Sequence, residues 1–281
     1  MLFPSDGVSV EGFVEHYWRK RPFVMRGVAN RWSPVLAGAE YRRIFELLES
    51  LRPDLYQRNE RGVAFGQNLD AVSPELRRLS EEVARLLNCA NVWFDGVQTS
   101  AAGGIGCHFD NSDNFTMQLE GTKIWQVAEP STIPSELRRL AMLRTPYHDD
   151  NVELPVDAEE IVLEPGDMLY IPLLWLHAGE STGPSLSTTI TCNSESGLAL
   201  IPYLHWALCE DPDWWGPVPT ERTVGSRSAE EAADRLSDYF DRLFARLSEP
   251  HVQAKLRECW VRERFGQFFE RFGVVDVPLA R

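Results

Sequence analysis

The stretch GIGCHFDNSDNFTMQLEGTKIWQVAEP, Gly104 to Pro130, gathers His108, Asp110, Asn114, Thr116, Gln118 and Lys123 in a segment of strand-like alternation. His108 and Asp110 stand two residues apart, so an extended backbone sets an imidazole nitrogen and a carboxylate oxygen side by side on one face. That pair suits a divalent transition metal and needs a third ligand. His177 offers one, after a Gly166-Asp167 turn and an apolar strand in EPGDMLYIPLLWLHAG. Two histidines and one carboxylate on one side of a metal leave coordination positions open, the arrangement of non-haem Fe(II) centres that handle oxygen.

Competing pairs carry less. His148 and Asp150 repeat the spacing in TPYHDDNVELP, but a proline-flanked acidic segment without alternation reads as a solvated loop. Cys107 beside His108 makes no nucleophile–base dyad, because neighbours on a strand point to opposite faces. His16 and His205 fall in apolar helical segments and read as packed side chains. Trp93, Trp125 and Trp175 fit shapers of a substrate pocket but read first as core aromatics, while Trp214-Trp215 fits an exposed patch or an interface equally well.

Lys123 enters through the turn. From Asn114 to Leu119, Phe115, Met117 and Leu119 take one face and Asn114, Thr116 and Gln118 the other. A two-residue hairpin turn at Glu120-Gly121 pairs Gln118 with Lys123 and carries the lysine to the polar face. Only Lys20, Lys123 and Lys255 are lysines among 28 basic residues, so a lysine here is a compositional exception.

The elements that must position these groups follow from periodicity. Residues 8 to 21 carry apolar residues at helical spacing and stop at Pro22, and PFVMRGV reads as a short strand. Ser73-Pro74-Glu75 starts a helix whose stripe is Leu76, Leu79, Val83 and Leu86. From Asn91 to about Asn193 the period is two, in short strands separated by glycine, proline and acidic turns, which predicts a sandwich or barrel. Helical spacing then returns. Ser228 with Glu231 forms a capping box ahead of Leu236, Phe240, Leu243 and Leu247, and a further helix begins near Pro250 with Val252, Leu256 and Phe265. The expected division is 1–195, a catalytic domain with a helical N-terminal lead-in, and 196–281, a helical region.

Composition bounds the partners. A chain of 281 residues that is 43% hydrophobic can bury a sizeable core, and its net charge of −14 disfavours nucleic acid or an anionic membrane as the main partner. A basic peptide or a small substrate fits that field better. Five scattered cysteines without a Cys-x-x-Cys, no signal-peptide pattern and no 18-residue apolar run point to the cytoplasm.

The segments NVWF…GIGCHFDNSDNFTMQLEGTKIWQV and EPGDMLYIPLLWLHAG resemble the JmjC and cupin-like Fe(II)/2-oxoglutarate dioxygenases, of the ribosomal-oxygenase and asparaginyl-hydroxylase types. FVEHYWRKRPFVMRG is similar to the segment that leads into their core, so the resemblance spans roughly residues 9 to 195. It implies a mainly β fold, a double-stranded β-helix of jelly-roll or cupin type with flanking helices. It implies that His108, Asp110 and His177 bind iron and that Lys123 grips the distal carboxylate of 2-oxoglutarate. Asn114 and Asn193, the latter ending TITCN, match positions near cosubstrate and metal, although either also fits a turn residue at a strand end. O2 completes the reactants.

Two departures bear on what transfers. Where some relatives place a cosubstrate-binding threonine, three before His108, this chain has Ile105, so another group must complete the carboxylate pocket. The residues after Asn193 are too few for dimerisation helices and a winged-helix module together, which assigns them to flanking and dimerisation helices and a homodimer. The implied activity is hydroxylation of an amino-acid side chain in a peptide or protein. The alternatives are hydroxylation of a free amino acid or natural-product intermediate, N-methyl demethylation, and a cupin hydrolase or isomerase without 2-oxoglutarate. The last has no use for Lys123, and a non-catalytic sensor has none for three intact ligands.

Overall fold

The computed structural model describes residues 8–28, 36–87, 89, 91–142, 152–193, 204, 208 and 229–261. The chain divides into two compact units, Met1–Ser194 and Glu195–Arg281. In the first, the elements are α1 (Val10–His16), β1 (Phe23–Met25), α2 (Gly38–Leu51), β2 (Tyr56–Arg58), β3 (Val63–Gly66), α3 (Pro74–Leu87) and β4 (Asn91–Thr99). They continue as β5 (Gly103–Gly104), β6 (Asp113–Glu120), β7 (Lys123–Ala128), α4 (Ser135–Met142), β8 (Glu159–Leu163), β9 (Met168–Ile171), β10 (Leu176–Ser181) and β11 (Ser185–Asn193).

Two sheets result. One has the order β1-β9-β6-β11-β4-β3-β2 and the other β5-β10-β7-β8, with every pairing antiparallel. Side chains of both sheets line one cavity, so the sheets face each other as a double-stranded β-helix with helices on the outside.

The expected hairpin between residues 114–119 and 123–127 does not form. β6 pairs with β11 and β9, whereas β7 pairs with β10 and β8, so the turn at Glu120-Gly121 passes the chain from one sheet to the other. Gly121 permits this corner with φ +70°, and a Cβ there would lie 2.3 Å from the Pro184 carbonyl oxygen. The Gln118 side chain closes the corner by donating to the Glu120 and Gly121 carbonyls and to Ser185 Oγ. Lys123 still reaches the polar interior, because the inner faces of both sheets look into the same cavity.

β6 is buried on both faces from Asp113 to Gln118, so its alternation separates two interiors. Phe115 and Met117 share the other, buried face, and Phe115 packs beneath the N-terminal helix, where Phe13 meets Phe115 at 5.7 Å and Tyr170 at 4.9 Å between ring centroids. Asn114 and Thr116 face the cavity. α1 ends at His16, well before Pro22. Arg19 takes a left-handed φ of 58°, which folds Tyr17 and Trp18 back against Phe13, and this aromatic burial prevails over helix continuation. His16 is correspondingly exposed on the last turn, not packed. On α3 the buried stripe is Leu76, Ser80, Val83 and Ala84; Leu86 falls off that face and is 40% exposed.

The second unit contains α5 (Ala229–Leu247) and α6 (Pro250–Val261). Val252 is buried, while Phe240 and Phe244 stack one turn apart on α5 and are exposed. Ser228, Phe265, His148, Asp150, His205 and Trp214-Trp215 lie outside the described residues. No helix among the described residues is long and apolar enough to cross a membrane.

Candidate active site

His108 and His177 are brought together by backbone pairing. Each donates its N–H to the other's carbonyl, at 2.9 and 2.8 Å, an isolated bridge that sets the two rings 4.3 Å apart between centroids. His108 Nδ1 lies 3.1 Å from the Gly106 carbonyl and His177 Nδ1 2.8 Å from the Trp175 carbonyl. A carbonyl only accepts, so both Nδ1 atoms carry the proton and both Nε2 lone pairs are free to bind. Nε2 of His108 and of His177 stand 4.0 and 3.5 Å from Asp110 Oδ2. One donor atom from each of the three residues lies within 4.8 Å of the others, a span that one divalent cation can bridge.

The surroundings of His177 and Asp110 suit metal binding. Burial, reinforced by the neighbouring His108, lowers the His177 pKa to about 4 and keeps its imidazole neutral at pH 7. Asn114 Nδ2 donates to Asp110 Oδ2 at 2.6 Å, and Ser112 Oγ donates to Asn114 Oδ1 at 3.0 Å. Asn114 therefore sits on the carboxylate ligand and orients it, the role of an outer partner in a metal site. The Leu174 N–H bonds the Asp110 carbonyl at 2.9 Å and ties that loop to the turn before His177.

Lys123 projects into the same cavity, which has a volume of about 400 Å³. It is 2% exposed, its Nζ donates to Ser187 Oγ at 3.0 Å, and it stands 5.1 Å over the Trp125 ring. Desolvation lowers its pKa to about 8, against a smaller opposing pull from Glu180. Among the described residues no carboxylate lies within ion-pair distance of it. A buried cation without a counter-ion is a cradle for an incoming carboxylate, and the residues present fit a dicarboxylate beside a metal.

The remaining sequence candidates distribute unevenly. Ser187, Thr189 and Thr191 of the β11 stripe line the cavity. Asn193 ends that strand opposite Asn91, apart from the residues lining the cavity. Trp93 and Trp125 form part of the cavity wall, whereas Trp175 packs against the core cluster of Trp125, Val127 and Leu169. Periodicity did not single out Asp95, a cavity carboxylate on β4, nor the cluster in which Asp113 accepts from Arg19 Nε and from the Tyr170 hydroxyl. Asp95 had a readable signal, since it shares strand parity with Trp93 and Val97; Asp113 had none, because its partners are distant in sequence.

A double-stranded β-helix with a His-Asp-His triad opening into its interior defines the class of protein. Residues 70–200 match the JmjC domain family. It is 25% identical to the uncharacterized protein YxbC of Bacillus subtilis over 86% of this chain and 84% of that one. It is 26% identical to the probable ribosomal oxygenase of Haemophilus influenzae, over 74% of this chain and 55% of that one. With ribosomal oxygenase 1 of Danio rerio the identity is 36%, over 89% of this chain and 51% of that one. The chain thus spans about half the length of these two named oxygenases. Among solved structures, Escherichia coli ycfD superposes with a TM-score of 0.56 at 17% identity, covering 92% of this chain and 72% of that one. YcfD in complex with cobalt and 2-oxoglutarate gives a TM-score of 0.52 at 18% identity, covering 93% and 70%. These likenesses establish the fold.

Proposed function

We propose that this protein is an Fe(II)- and 2-oxoglutarate-dependent oxygenase that hydroxylates an amino-acid side chain within a peptide or protein. One observation carries the reading: a His108-Asp110-His177 set able to hold a metal shares a single cavity with Lys123, a buried cation with no carboxylate at ion-pair distance among the described residues. Bound Fe(II), with 2-oxoglutarate and O2, supplies the oxidising power for C–H hydroxylation. The chain's own residues do the positioning. His108 and His177 present Nε2, Asp110 presents a carboxylate oxygen held by Asn114, and Lys123 with Ser187 receives the far carboxylate of the cosubstrate. For Asn193 only the family likeness supports a place near that cosubstrate, since it lies apart from the residues lining the cavity.

A protein substrate is favoured by the names of the longer relatives, ribosomal oxygenases from Haemophilus influenzae and Danio rerio. We assign the protein to the cytoplasm, and its exposed, stacked Phe240 and Phe244 support a homodimer formed through the C-terminal helices. The test is turnover of 2-oxoglutarate to succinate with and without Fe(II), followed by mass spectrometry of host peptides and free amino acids. A peptide gaining one oxygen atom is expected. Product confined to a free amino acid would replace the substrate class, and formaldehyde with loss of a methyl group would replace hydroxylation by demethylation.

A further inference from the structure

The segment leading into His108 runs out of step with its partner strand. β5 pairs Gly104 with Glu180, and the bridge further along pairs His108 with His177. Between these two points the chain passes through Ile105, Gly106 and Cys107, whereas β10 passes through Ala178 and Gly179 alone. One extra residue on one side of an antiparallel pairing is a β-bulge, which bends its strand and re-aims the groups beside it.

Gly106 makes this bulge possible. Its φ of +93° lies in the left-handed region that favours glycine, and its carbonyl stands 3.1 Å from His108 Nδ1, two residues on. A Cβ at Gly106 would meet nothing within 4 Å, so the backbone angle calls for glycine there and crowding does not. The arrangement recurs at the second histidine. His177 Nδ1 meets the Trp175 carbonyl, also two residues before it, and Leu174 just ahead of that carbonyl has φ +63°. A leucine held left-handed is strained, and the Leu174 N–H bond to the Asp110 carbonyl helps to hold it. The two rings differ in their support. The His177 side chain is 4% exposed and fixed by packing, whereas that of His108 is 23% exposed and leans more on its hydrogen bond.

We propose that Gly106 is a positioning residue for His108: its left-handed bulge aims the carbonyl that keeps Nδ1 protonated and turns Nε2 toward the metal position. This rests on the metal site of the reading above and adds how its more exposed histidine is held.

The test uses the full-length protein with Zn(II), which is diamagnetic and redox-inert, and with 15N-labelled histidine. In zinc-loaded wild type, the imidazole NMR signals of His108 should show a metal-bound Nε2 and an Nδ1 proton that exchanges slowly with water. In Gly106→Ala the backbone should leave the left-handed region and that proton should exchange fast, while the His177 Nδ1 proton persists. Zn(II) affinity, read by competition with a chromophoric chelator, should fall about ten- to a hundredfold. Gly103→Ala is the control, because its φ of +146° also strains alanine and its Cβ would come no nearer than 3.6 Å to Val63. It should lower the melting temperature without weakening Zn(II). Unchanged Zn(II) affinity in Gly106→Ala, an equal loss in Gly103→Ala, or wild-type His108 binding the metal through Nδ1 overturns the proposal. The wild-type spectrum decides the matter even if Gly106→Ala fails to fold. Wild-type protein that binds no Zn(II) would sink the metal site itself, and the wild-type titration tells that failure from loss of the Gly106 contribution.

Discussion

At the scale of single residues, the site depends on which atoms are left free. Backbone carbonyls occupy both Nδ1 atoms, so the proposed metal set is His108 Nε2, His177 Nε2 and an Asp110 oxygen. His108→Ala or Asp110→Ala should abolish turnover and stoichiometric Fe(II) binding in equilibrium dialysis. His148→Ala and Asp150→Ala, the rival pair, should leave both intact. Lys123→Met should weaken 2-oxoglutarate about ten- to a hundredfold, as expected for losing a charge-assisted contact of about 1.5–3 kcal/mol, with metal affinity unchanged. The same lysine sets a pH dependence. Its pKa in the bare protein is lowered to about 8, so below that pH the ammonium is already formed and ready for the dianion. Above about pH 8 binding must take up a proton, and 2-oxoglutarate affinity should fall as pH rises. Calorimetry at pH 7 and 9.5 in buffers of different ionisation enthalpy checks this, and a flat profile would remove Lys123 from the cradle.

At the scale of elements, the triad is held by segments that meet only in three dimensions. Asp113 opens β6 fully buried, and its Oδ1 accepts from the Tyr170 hydroxyl on β9 at 2.7 Å and from the Leu173 N–H at 3.2 Å. Its Oδ2 accepts from Arg19 Nε at 3.0 Å, just past α1. One carboxylate thus ties the N-terminal lead-in, the strand that follows Asp110 and the turn that precedes His177. Asp113→Ala removes the acceptor shared by a part-buried arginine and two further donors, and should cost about 1–3 kcal/mol. Thermal denaturation should show a drop of several degrees or more, whereas a shift under one degree would mean the cluster is not what joins these segments. Strand existence was legible here from alternation, and β4 and β11 run from Asn91 and to Asn193 as periodicity suggests. Partners were not legible. Alternation reports which residues share a face, not which strand lies alongside, and a two-residue turn can close a hairpin or cross between sheets.

At the scale of the whole molecule, charge and exposed apolar surface govern encounters. With 42 acidic and 28 basic residues, the protein should attract cationic peptides, and their apparent affinity should weaken as salt rises from 50 to 500 mM. An affinity indifferent to salt would confine recognition to the cavity. Phe240 and Phe244 are 45% and 63% exposed on α5. Replacing both with glutamate should halve the mass measured by light scattering if this face joins two copies. An unaltered mass would exclude it.

By itself the sequence singled out the candidate ligand types, because His-x-Asp spacing on an extended backbone places two donors on one side whatever surrounds them. It also determined that the middle of the chain is β, since period-two burial has no helical solution, and that a lysine in a lysine-poor chain sits among polar residues. Tertiary structure alone decided that β6 and β7 part into two sheets, that the backbones of His108 and His177 bridge, and that Arg19 and Tyr170 converge on Asp113. It also decided that Asp95 looks into the cavity. The physical reason is range: backbone geometry and side-chain parity act over a few residues, whereas these contacts join residues tens of positions apart and exist only once the sheets have closed on their shared interior.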